Sequence, residues 1–79
     1  MKTFGKIKEF DGYNGIIQAI DGKEYLLIKD EIADENVLSE GDCVYFEPDI
    51  YKTPEMEEYI ARFVRKLEKQ EVNEKKSVM

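Results

Sequence analysis

Few side chains in this sequence are equipped for chemistry. The 79 residues include no histidine and a single cysteine, Cys43. Glu40 and Asp42 stand close to Cys43, an acidic setting that works against a reactive thiolate, so we read it as structural. Carboxylates are numerous, but Asp30-Glu31 and Asp34-Glu35 fall in a charge-rich connection without the ligand spacing of a calcium loop. No phosphate-cradling glycine loop and no acid–base constellation is recognisable. The expectation is a protein that is not an enzyme and carries no cofactor and no metal.

What remains is binding. Lysine and arginine number 12 against 18 aspartates and glutamates, a formal net charge of −6. A mean field of that sign slows the approach of a polyanion and disfavours binding by phosphate neutralisation alone. Stacking of bases on aromatic rings escapes this limit if a few lysines are locally well placed. Lys6, Lys8 and Lys29 are the candidate cations; equally, they serve as solvated strand residues that discourage edge pairing. Tyr13 sits in a turn, where it can stack a base or pack against a neighbouring strand.

These residues hang on an expected β-hairpin. Gly15 to Ile20 and Lys23 to Ile28 are apolar runs on either side of Asp21-Gly22, the signature of a type I′ turn. Both runs have so few polar breaks that apolar side chains must stand on both faces. Before them, Phe4, Ile7 and Phe10 mark a first strand, with Gly5 as the site of a bend or bulge, and Asp11-Gly12-Tyr13-Asn14 is a turn. Residues 29–40 read as a connection holding one helical or 3₁₀ turn, anchored by Ile32, Ala33, Val37 and Leu38. A fourth strand follows from Cys43 through Phe46 and past Pro48 to Tyr51; a proline there suits an edge or a bulge.

The segment after Tyr51 carries two signals. Thr53 as N-cap, Pro54 at the first helical position, and Met56, Tyr59, Ile60, Phe63, Val64 and Leu67 at helical spacing describe a helix. The alternative fold is thus a four-stranded sheet plus a C-terminal helix. One domain over residues 1–67 is expected, followed by a charged, disordered tail at 68–79. The lone cysteine and the absence of a basic-then-apolar leader point to the cytoplasm. No apolar run approaches the roughly 20 residues of a membrane span, so no membrane association is expected.

The order of these pieces resembles a family. Gly5-Lys6-Ile7-Lys8-Glu9-Phe10-Asp11, then Gly15-Ile16-Ile17, then Asp21-Gly22-Lys23-Glu24-Tyr25-Leu26-Leu27-Ile28 are similar to the opening strands of bacterial cold-shock domains. Glu40-Gly41-Asp42-Cys43-Val44-Tyr45-Phe46-Glu47 and Ala61-Arg62-Phe63-Val64-Arg65-Lys66-Leu67 resemble the family's later strands. The likeness covers Gly5 to Leu67 and implies an all-β, five-stranded antiparallel OB-type barrel, in which Tyr59 to Leu67 is a closing strand. It also implies binding of single-stranded RNA or DNA by base stacking. Here the family's exposed Trp is Glu9, its paired aromatics fall at Tyr13 or Asn14 and at Ile16, and its last three platform residues are Leu26, Ile28 and Lys29. With most rings replaced, reduced affinity is expected, through Lys8, Phe10, Tyr13, Ile16, Leu26, Ile28 and Lys29.

The replacements support a competing expectation. If Ile16, Leu26 and Ile28 share the outer face, they form an aliphatic patch that docks a protein partner. The same three side chains would be ordinary core if the C-terminal segment or the 29–40 connection folds over them. A monomer or weak homodimer is consistent with either.

Overall fold

Apolar residues at alternate positions, interrupted by Gly- and Asp-containing turns, build sheet throughout. The computed structural model describes residues 2–34 and 37–67, and over them the chain forms five strands: β1 (Thr3–Phe10), β2 (Asn14–Ala19), β3 (Glu24–Ile28), β4 (Cys43–Lys52) and β5 (Glu57–Lys66). They close into a barrel in the order β1-β2-β3-β5-β4, with β4 returning to β1. This is the OB-type barrel expected, with one correction: β3 and β5 run parallel, while the other neighbours are antiparallel. A single 3₁₀ turn, Lys29–Glu31, leaves β3, and Ile32 then bridges to Val64 of β5. The charged tail expected at 68–79 lies outside the described residues. No helix among the described residues is long and apolar enough to cross a membrane.

The C-terminal helix is overturned: Glu57–Lys66 is a strand paired with β4. Thr53 does cap backbone N–H groups, but those of a hairpin turn. Its Oγ1 accepts from Met56 N at 3.1 Å and Glu55 N at 3.3 Å, while Thr53 N donates to Met56 O at 2.8 Å. The helical spacing has a physical cause as well. Between the pairs Tyr45–Arg65 and Glu47–Arg62, β5 advances by one residue more than β4. The extra residue fits because Phe63 adopts φ 53°, with its ring outside. This bulge separates the buried Ala61 and Val64 by three positions instead of two, a helical interval written on a strand.

β1 has the same device. Ile7 opposes Ile17 and Glu9 opposes Ile16, so the bulge falls at Lys8 and not at Gly5. Gly5 answers a different need: a Cβ there would lie 2.6 Å from Ile17 Cγ2 and 2.8 Å from Gln18 O. The β2–β3 connection also differs from expectation. Gly22 N donates to Ala19 O at 3.1 Å and Ala19 N to Lys23 O at 2.9 Å, and Gly22, not Asp21, takes positive φ. The loop therefore holds Ile20, Asp21 and Gly22, with the glycine as a bulge residue, in place of a two-residue type I′ turn.

Phe46, Ile7, Ile17, Leu27, Val44 and Val64 fill the barrel, and Leu38 from the 29–40 connection is buried with them. Tyr25 lies inside between Phe46 and Tyr59, at ring distances of 5.1 and 5.7 Å. Tyr51, at the end of the fourth strand read from the sequence, is exposed, because β4 and β5 continue as a two-stranded ribbon past the last β1–β4 pair at Phe46. Pro48 stands on that ribbon, where β4 lacks β1 as a neighbour.

Among the glycines the tightest approach is at Gly15, opposite Phe10, where a Cβ would sit 2.2 Å from Glu9 O and 2.9 Å from Phe10 Cα. Gly15→Ala is expected to destabilise the fold by about 2–3 kcal/mol through overpacking. Gly12→Ala, at φ +99° but in open space, should cost about 1 kcal/mol. Urea denaturation of the two variants checks the order.

Candidate functional site

Period-two alternation assigns the outer face of the β1–β2–β3 meander. Inward positions on β2 and β3 are taken by Gly15, Ile17, Ala19, Tyr25 and Leu27, all buried. Outward positions carry Ile16 opposite Leu26, and Asn14 opposite Ile28. The three aliphatic residues named from the sequence do share one face, where each is half-buried. Among the described residues they stand outside the core cluster. β5 contributes a fourth aliphatic residue that sequence reasoning missed: Ile60 pairs with Leu26 and is buried, yet stands apart from the core cluster.

Tyr13 and Lys29 stand at the upper end of this strip. Asp11 shapes the turn that presents the tyrosine: its Oδ1 accepts from Asn14 N at 2.8 Å and from Tyr13 N at 2.9 Å. Lys29 N donates to Tyr13 O at 2.9 Å, so the start of the 3₁₀ turn is fastened to the same loop. Above that bond the Lys29 ammonium lies 5.1 Å from the centre of the Tyr13 ring, a cation–π contact on a residue that is 66 % exposed. The backbone bond thus brings the two residues side by side, and the side chains set a cation over the π surface.

Phe10 does not join them. The bulge turns it inward against the core, opposite Gly15, where it borders an open cavity with Lys29, Ile32 and Leu38. Lys8 reaches the outer face but is engaged there, with Nζ 2.6 Å from Glu24 Oε2. The hydrogen bond and charge of Glu24 raise the Lys8 pKa above its ordinary value. Glu9, opposite Ile16, adds a carboxylate to the same surface. Glu24 was legible in the sequence, since it shares the parity of Leu26 and Ile28; its partnership with Lys8 depends on a bulge that no residue type announced.

The remaining charge clusters hold the frame. Arg62 bridges Glu31 at 2.6 Å and Asp49 at 2.9 Å. Asp34 accepts from Lys66 N at 2.9 Å. Glu31 and Asp34 thus fasten the 29–34 segment to β5. No family model matches the chain, and no curated protein matches it.

The backbone N–H groups of Asn14 and Tyr13 hold the Asp11 carboxyl below its ordinary pKa of 3.8. A carboxyl lowered on folding stabilises the turn above its unfolded pKa and loses that contribution as pH falls through the folded value. We expect NMR titration to place the Asp11 midpoint below 3.8. The amide shifts of Tyr13 and Asn14 should move with it, and Asp11→Ala should speed hydrogen exchange at both amides.

Proposed function

We propose that this chain is a non-catalytic, cold-shock-like binding module of the cytoplasm that holds single-stranded RNA or DNA across the outer face of β1–β3. The observation that carries this reading is the exposed Tyr13 ring under the Lys29 ammonium at the edge of the Ile16–Leu26–Ile28 strip. Base stacking needs an accessible ring, and a nearby cation serves the adjoining phosphate. Barrels of this order take oligonucleotides on the face of their second and third strands and on the first connecting loop, here the Asp11–Tyr13 turn. Lys8 adds to this: its side chain is 55 % exposed, and ion pairs so open to water are weak enough for a phosphate to displace. Glu9 and Glu24 on the same face set the affinity low.

Fluorescence-anisotropy titration of labelled single-stranded RNA and DNA, including a pyrimidine-rich sequence, tests the proposal. We expect saturable binding that Tyr13→Ala weakens about tenfold, the worth of one stacked base. Lys29→Ala should flatten the dependence of log K on log salt by about 0.7, one phosphate contact. Absence of binding at tens of micromolar, about the range of weak specific contacts, overturns it.

A second reading is favoured by the aliphatic strip itself. Ile16, Leu26 and Ile28 side by side, bordered by Glu9 and Glu24, have the apolar centre and charged rim of a protein-docking face. Under that reading oligonucleotides do not bind. A rise in sedimentation mass with concentration, removed by Leu26→Asp, would then identify the strip as a contact between copies.

A further inference from the structure

The bulge in β1 aims Lys8 across the sheet. β1 takes two steps from Ile7 to Glu9 while β2 takes one from Ile17 to Ile16. The partner of Lys8, Glu24, is on β3, and β2 lies between those strands. The 2.6 Å contact therefore straps the outer surface of β2 beside Ile16, within the area assigned to the ligand. The strap remains open to solvent, with the Lys8 and Glu24 side chains 55 % and 44 % exposed. A carboxylate and a phosphate oxygen make the same charge-assisted hydrogen bond to an ammonium, so they compete for it.

We propose that Glu24 is a binding-surface residue that acts as an internal competitor for phosphate: it occupies Lys8 in the free protein and yields it to the nucleic acid. This rests on the nucleic-acid reading above. A ligand spanning only the Tyr13–Lys29 end leaves the strap intact. One long enough to place a phosphate at Lys8 must displace a carboxylate that stays nearby and repels it. Glu24 thus holds down the gain in affinity that a longer strand would otherwise bring.

The test is anisotropy titration of labelled oligodeoxythymidine against wild type, Glu24→Gln and Glu57→Gln at low and moderate salt. Glu57 pairs with Lys52 at the end of the β4–β5 hairpin at 3.4 Å, so its replacement removes the same charge without breaking the Lys8–Glu24 contact. We expect Glu24→Gln to tighten binding about three- to fivefold, as releasing one exposed ion pair allows. It should also steepen the salt dependence by about 0.7, with Glu57→Gln close to wild type. Lys8→Ala should weaken the Glu24→Gln protein more than it weakens wild type, the sign of coupling between the two sites. Equal behaviour of Glu24→Gln and Glu57→Gln, with wild type still binding, overturns the competitor role. Failure of wild type and all variants to bind overturns the nucleic-acid reading and this inference with it.

Discussion

Closing this barrel requires β5 to serve two neighbours that run in opposite senses. Against β4 it pairs antiparallel over most of its length, while against β3 it runs parallel through Ile60 alone, helped by the Ile32–Val64 bridge. A strand gripped so unequally has to bend where its second neighbour arrives. Phe63 supplies the bend, accepting a left-handed conformation that a side chain rarely adopts so that Ala61 and Val64 can both face inward. The inward placement of both Ala61 and Val64 goes with that one residue's geometry.

That dependence explains what could be read in the sequence. The meander was legible because its signals are local: apolar runs, Asp-Gly pairs, and a turn at Asp11 whose side chain bonds its own following backbone. The outward set of Ile16, Leu26 and Ile28 came from the family likeness; a two-residue turn at Asp21-Gly22 would have set Ile16 against Leu27, and the three-residue loop sets it against Leu26. β5 was not legible without the family likeness, since a bulge converts the interval between buried positions from two to three and so imitates a helix. Phe10 belongs to the same class of error. Its separation from Ile7 by three positions looks irregular for a strand until the bulge at Lys8 restores both to the inside.

The candidate surface is likewise a product of bulge and register. Charge arithmetic described an acidic protein with three lysines near the hairpin, but not how they are used. One is stacked over a tyrosine and another is spent on a glutamate two strands away. The face therefore combines a small aromatic and cationic corner, an aliphatic floor and carboxylates that temper attraction.

The same strand order has a consequence for how the chain reaches this state. The β1–β2–β3 meander and the β4–β5 hairpin each join segments adjacent in sequence, so both can form early at little cost in loop entropy. Joining Thr3 to Phe46 and Leu26 to Ile60 must wait until those units meet. Those two joins carry the largest loop-closure cost, and the β3–β5 seam, paired in register at Leu26 and Ile60, is the narrower of them.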